Sequence, residues 1–306
     1  MTKKKKWSLI GLIAIVIIIL IAIIWPKNKN SNSSSSTKNS TPITIGAKNF
    51  TESKVVAQIY ADALKQEGYK VNLKDNIAST VVYKAIRSKQ IDLYPEYTGT
   101  IVMTFLKKNA VGKSASQIAQ TAKTGMAKQN LTTLDYAPGN DSQGIAIKTS
   151  VAKKYGIKNL SDLQKHASQI RFASQGEFDK RDDGIPGLEK VYGKFNWKSS
   201  KVYDMSLKYK VLDRGDADAT PASTTEGQLA TNKYFAIKDN KHFWPAYNLV
   251  PLARTQIIKD NPGIKKILNK IDKKLTTKEL TNLNYQVDVK GNSVESVAKN
   301  WLKNNY

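Results

Sequence analysis

The sequence predicts an α/β protein of two lobes, carried behind an N-terminal membrane segment. Three observations predict it. Lys3, Lys4, Lys5 and Lys6 precede an apolar run from Leu9 to Trp25. From Ile43 onward, short apolar strand patterns alternate with amphipathic helical ones, the order of a parallel α/β sheet. The alternation starts afresh after residue 115, and the roughly 260 residues beyond Ile43 suffice for two lobes.

The apolar run is interrupted only by Gly11 and closed by Pro26. Its 17 residues lie at the low end of the roughly 17–25 that cross a bilayer as a helix. The lysines before it place the N-terminus in the cytoplasm. A cleaved signal peptide wants small residues at its cleavage site, and Ile23-Ile24-Trp25-Pro26-Lys27 offers none. A lipoprotein needs a cysteine after the run, and the sequence contains no cysteine. Residues 1–26 are therefore expected to be a basic stub and an uncleaved, single-pass anchor. The body is then extracytoplasmic, in an envelope of the Gram-positive kind. Residues 27–42, rich in Ser and Asn, carry too little apolar surface to order themselves and are expected to be a flexible tether.

The formal charge is +24. Residues 1–42 contribute seven lysines and no acid, which leaves +17 on the remainder. Such a field attracts nucleic acid or an anionic surface. The lysines are scattered through every segment instead of forming an aromatic-studded stripe, which argues against nucleic acid. Histidine occurs only as His166 and His242, both in lysine-rich surroundings. With no cysteine and two isolated histidines, no histidine triad, metal site or cofactor motif is in view. The acids occur mainly singly in charged stretches, so no catalytic residues stand out.

The first strand is Ile43–Ala47. Asn49 opens a helix with Glu52 as its capping-box partner. Val55, Val56, Ile59, Tyr60, Ala63 and Leu64 form one stripe of that helix, and Gly68 stops it. Tyr69–Leu73 is the next strand, Thr80–Arg87 a short helix, and Ile91–Tyr94 a third strand that runs into Pro95 and Thr98-Gly99-Thr100. Helix Ser116–Gln129 and strand Gly144–Ile147 open the second round. Ser161 caps a helix, Ile170–Ala173 is a strand, and Pro186 starts the helix bearing Leu188, Val191 and Tyr192. Val202–Met205, Ala217–Thr220 and Tyr234–Ile237 read as strands, with Thr224 or Thr225 capping a helix between the last two. Helices at 263–275, 277–284 and 293–303 end the chain.

Four segments in this order carry a resemblance. They are Gly46-Ala47-Lys48-Asn49-Phe50-Thr51-Glu52, Asp92-Leu93-Tyr94-Pro95-Glu96-Tyr97-Thr98-Gly99-Thr100, Glu177–Gly184 followed by Pro186-Gly187-Leu188, and Phe243-Trp244-Pro245-Ala246-Tyr247-Asn248. Together they resemble the glycine betaine/carnitine/choline-binding proteins of osmoprotectant ABC importers, over essentially all of residues 43–306. The resemblance implies a two-lobed, periplasmic-binding-protein-like fold of type II. Lobe 1 would comprise residues 43–141 plus 249–306, and lobe 2 residues 142–248. It also implies a solute receptor and not an enzyme, serving ABC permease subunits and their ATPase.

A trimethylammonium group has no N–H to donate, so its recognition falls to aromatic faces, each worth about 0.5–2 kcal/mol when desolvated. A carboxylate on the same solute calls for an arginine fork, a lysine or helix N-terminal amides. By resemblance, Tyr97 and Tyr247 are cage tyrosines, and Arg181, Lys48 and Thr100 bind the anionic end. Each has a plainer alternative: packing for the tyrosines, a solvated face for Arg181 and Lys48, a helix cap for Thr100. Gln143 and Ser223 stand where many members carry further cage tyrosines, and Phe178 is a candidate replacement face. A carboxamide and a hydroxyl at those places favour a solute with extra hydrogen-bonding groups, such as carnitine, choline or a histidine betaine like ergothioneine. The rival readings are the same fold binding an amino acid or oxyanion, a carboxylate-dependent hydrolase, and an envelope-binding adhesin.

Overall fold

The computed structural model describes residues 41–306. The expected anchor at 1–26 and all but the last two residues of the tether lie outside the described residues. Among those described, no helix is long and apolar enough to cross a membrane.

Ten strands are present among the described residues: β1 Ile43–Lys48, β2 Val71–Ile77, β3 Leu93–Tyr97, β4 Leu131–Thr133, β5 Gln143–Lys148, β6 Arg171–Ser174, β7 Ser199–Val202, β8 Ala219–Ser223, β9 Tyr234–Ala236 and β10 Leu249–Arg254. They form two five-stranded sheets, ordered β2-β1-β3-β10-β4 and β7-β6-β8-β5-β9. In the first sheet β1 pairs in parallel with β2 and β3, and β10 runs antiparallel to β3 and β4. In the second β6 pairs in parallel with β7 and β8, and β5, its first strand, runs antiparallel to β8 and β9. The first sheet is thus completed by a strand that returns after the whole second sheet has been built.

The chain crosses between the sheets twice, and the crossings lie side by side. The Asp141 amide donates to the Tyr247 carbonyl at 3.0 Å, and Leu249 to that of Gly139 at 3.1 Å. The Asn248 side-chain amide donates to the carbonyls of Ala137 at 3.1 Å and Gly139 at 3.3 Å. This two-stranded ribbon is the hinge geometry of a two-lobed protein.

The helix Thr51–Gln66 buries the whole expected stripe from Val55 to Leu64, together with Glu52 and Ser53. It is sandwiched between the first sheet and the C-terminal helix Val294–Asn305, which explains burial on more than one face. The expected capping box is absent. Phe50 holds the cap position without a side-chain bond, and Glu52 turns inward instead. Helix Gly263–Asp272 adds a buried pair to this core: the Tyr60 hydroxyl donates to Asp272 Oδ1 at 2.6 Å, and Asp272 Oδ2 has no partner. Burial drives the Asp272 carboxyl well above the usual carboxylate range.

Other expectations shift. Asn159, not Ser161, caps the helix Leu160–Lys165, in a capping box with Asp162. The strand expected at Val202–Met205 is Ser199–Val202, with Met205–Leu207 a single 3₁₀ turn. No α-helix starts at Thr224 or Thr225; a 3₁₀ turn, Gly227–Ala230, stands there. Both threonine hydroxyls are committed across the crossing segment instead, Thr224 to the Ser142 amide and Thr225 to Asp141. Strands β4 and β10 and the helix Lys208–Asp213 carry too short a pattern to be found by periodicity.

Candidate functional site

Tyr97 ends β3, and the Thr98 amide after it donates to the Asn248 carbonyl, which ties the end of β3 to the hinge ribbon. The Tyr97 ring is 4% exposed and stacks on Phe50 with centroids 6.3 Å apart. Its hydroxyl donates to Glu52 Oε1 at 2.7 Å. Burial, and then the neighbouring Glu52 and Asp141, keep this phenol protonated.

Lys48 is placed differently from a ligand-binding lysine. It is 3% exposed and ion-paired to Glu96, which is fully buried. Its ammonium lies 5.1 Å from the Tyr97 ring centroid, 5.9 Å from that of Tyr94 and 6.0 Å from that of Phe50. Glu96 also accepts the Tyr97 amide at 2.9 Å and the Tyr94 hydroxyl at 2.9 Å. Lys48 is therefore a cation consumed by the protein, and part of the aromatic surface around Tyr97 is already facing it. Its assignment to a ligand's anionic end gives way to that of an internal strut.

Tyr247 lies in the return crossing, buried to 2% exposure. Its hydroxyl donates to Asp183 Oδ2 at 3.0 Å. Arg181 grips the same carboxylate as a fork, Nε to Oδ1 at 2.7 Å and Nη2 to Oδ2 at 2.5 Å. Burial works to raise the Asp183 carboxyl, but the fork outweighs it and holds the group below its usual range. Arg181 itself is held above its ordinary value, chiefly by the bond to Asp183. One edge of its guanidinium is thus spent on Asp183, while the side chain remains 44% exposed. Nη1 makes no bond to Asp183.

Gly99 accounts for the position of Tyr247. A Cβ on Gly99 would stand 2.7 Å from Tyr247 Cδ1 and 2.9 Å from the Ala246 carbonyl oxygen. The start of the short helix Thr98–Thr100 can approach the tyrosine ring only without a side chain there. Thr100 is half-buried at the end of that helix.

Gln143 and Ser223 are Cα partners across β5 and β8. Both line a cavity of about 280 Å³ with Thr224, His242 and Trp244. Tyr97, Tyr247, Lys48 and Arg181 do not line it. It connects to the rest through Trp244, whose indole donates to the Asp183 carbonyl at 2.8 Å, and through Ser223, which interacts with Asp141. Phe178 belongs to the second sheet's core and supplies no face.

Two buried carboxyls complete the seam. Asp141 accepts the Thr225 hydroxyl at 2.7 Å, and Glu52 accepts the Asn284 amide on Oε2 at 3.0 Å. Burial raises both, and the charges of Glu52 and Glu226 add to the rise at Asp141. Glu52, Glu96, Asp141, Asp183, Thr225 and Asn284 were not legible as site residues. Only Glu52, Glu96 and Asp183 had a signal, lying inside the quoted segments. Among the described residues no group of three potential ligands could hold a metal.

Two α/β lobes on a two-stranded hinge, with aromatic rings and one arginine fork at their seam, define a solute-binding protein. The chain belongs to the OpuAC family, described as the substrate binding domain of ABC-type glycine betaine transport systems, whose model matches residues 41–304. Members of this family are solute-binding proteins, not enzymes. The chain is 30% identical over 86% of its length to the ergothioneine transport permease/ergothioneine binding protein EgtU of Helicobacter pylori, of which it spans 47%. It is 29% identical to the carnitine transport binding protein OpuCC of Listeria monocytogenes, covering 86% of this chain and 87% of that one. The crystal structure of a glycine betaine/carnitine/choline ABC transporter protein superposes with a TM-score of 0.75 at 26% identity, covering 86% and 98% of the two chains.

Proposed function

We propose that this protein captures a quaternary ammonium solute that also carries hydrogen-bonding groups, in the cleft between its lobes. Carnitine and an ergothioneine-like betaine fit this description better than compact glycine betaine. The observation that carries the reading is that Gln143 and Ser223, partners across β5 and β8, put polar groups next to the crossing segment, where Ser223 interacts with Asp141. Tyr97 and Tyr247 would supply the cation's aromatic surface, and the free edge of Arg181, with Thr100 at the end of the short helix, the anionic end. Relatives named for carnitine and for ergothioneine are consistent with it.

The solute would pass to ABC permease subunits driven by their ATPase. The N-terminal apolar run would hold the receptor at the outer face of the cell membrane as a single-pass anchor. A tether of this kind raises effective concentration at the permease without adding a contact.

The test is calorimetric titration of the full-length protein with glycine betaine, carnitine, choline and ergothioneine, alongside mass spectrometry of any co-purified solute. Saturable binding of carnitine or ergothioneine is expected, lost in most part on Tyr97→Ala or Tyr247→Ala. Tight glycine betaine binding with no response to the other three would sink the reading.

A further inference from the structure

Helix Thr277–Asp288 of the first lobe packs against the second lobe at the turn that begins at Gly227. A Cβ on Gly227 would stand 2.5 Å from the Tyr285 amide nitrogen, 2.6 Å from Tyr285 Cα and 2.7 Å from the Asn284 carbonyl carbon. Those are backbone atoms of a helix and cannot swing aside. Gly227 is not among the positive-φ residues, so its own backbone does not require glycine. Only the approaching helix does.

Beside that contact sits Asn284, 4% exposed. Its side-chain amide donates to Glu52 Oε2 at 3.0 Å within its own lobe, and to the Thr225 carbonyl of the other lobe at 2.8 Å. Glu52 Oε1 in turn accepts the hydroxyl of Tyr97. A continuous path therefore runs from the Tyr97 hydroxyl through Glu52 and Asn284 to the second lobe. One NH₂ group serves both sides, and its two bonds exist together only while the lobes are closed.

We infer that Asn284 and Glu52 are positioning residues that couple the ring of Tyr97 to lobe closure, with Gly227 as the seat that lets the two lobes meet. This rests on the proposed role of Tyr97 at the ligand. When the lobes part, Asn284 loses the Thr225 carbonyl while its bond to Glu52 stays within lobe 1, so Glu52, and through it the acceptor of the Tyr97 hydroxyl, is no longer braced from lobe 2. When they close, the ring is locked by a bond made in lobe 1 and secured from lobe 2. The coupling is a two-state element biased from both ends, the requirement for a ligand to drive closure.

The experiment uses the full-length protein with single cysteines at Lys65 and Lys201, exposed positions on the two lobes of a chain that has no native cysteine. Spin-label distances report closure, and stopped-flow dissociation reports the lifetime of bound carnitine and ergothioneine. Tyr97→Phe keeps the aromatic face and removes only the link. Tyr97→Phe and Asn284→Ala should each speed dissociation about five- to tenfold, and the double variant no more than the larger single, because both cut one path. Gly227→Ala should shift the label distances to longer values with and without solute, at unchanged lobe secondary structure. Multiplying effects in the double variant, or a Gly227→Ala protein that closes like wild type, would overturn the inference. If neither solute binds wild type, the reading of the ligand has failed, and the unliganded label distances alone decide for or against the seat.

Discussion

Replacing Lys48 by methionine removes an ammonium while keeping most of the stem that packs under Phe50 and Tyr97. Glu96 is then left fully buried with no cation. Taking one partner from a buried ion pair typically costs about 3–5 kcal/mol. Here Glu96 keeps the Tyr97 amide and the Tyr94 hydroxyl, each at 2.9 Å, which places the expected loss near the lower bound, about 3 kcal/mol. At roughly 2–4 °C per kcal/mol for a protein of this size, the midpoint should fall by about 6–12 °C in calorimetry. Adding Glu96→Gln should restore most of the loss, since the buried charge is then gone from both sides. A Lys48→Met protein that loses less than about 1 kcal/mol, or a double variant no better than the single, would refute the strut. If Lys48 instead met the solute's anionic end, the variant would weaken carnitine but not choline and leave unfolding untouched.

Gly99→Ala should push the Tyr247 ring from its place, lowering affinity for carnitine or ergothioneine at least tenfold in calorimetry while circular dichroism stays that of the wild type. Arg181→Lys cannot grip both oxygens of Asp183, so it should weaken carboxylate-bearing solutes more than choline, measured as a ratio of affinities. Asp272 is raised in the folded state, so folding binds its proton more tightly than the unfolded chain does. Its contribution is complete below the ordinary carboxylate range and is lost as pH rises through the raised value. Urea midpoints should therefore decline as pH rises above about 4, and Asp272→Asn should flatten that slope. Ser114→Ala removes the capping box on helix Ala115–Ala127 and should cost about 1 kcal/mol in urea unfolding.

Much of the fold was legible because regular elements advertise themselves by period. The stripe from Val55 to Leu64 and the C-terminal helices are read from spacing alone, and each is buried as expected. Several elements of three to six residues were missed or displaced, β4, β10 and Lys208–Asp213 among them, because so short a run fixes no period. The seam was legible in part. Tyr97, Tyr247 and Arg181 were named from motif context, and the structure sets them at the seam of the lobes. Lys48 was named for the wrong partner, since no local pattern says that a lysine on β1 will meet a glutamate 48 residues on.

What the sequence determined by itself is the alternation of strands and helices, the apolar run near the N-terminus, and the motif residues that mark a solute receptor. These are local properties of the chain, carried by side-chain period and composition. What only the tertiary structure decided is which charges are free and which are spent. Asp183 takes one edge of Arg181, Glu96 takes Lys48, and Asn284 reaches from Glu52 to the facing lobe. Buried polar groups must find partners wherever the fold brings them: Lys48 meets Glu96 from another strand and Asn284 meets Thr225 on the facing lobe, pairings beyond any pattern that neighbouring residues can encode.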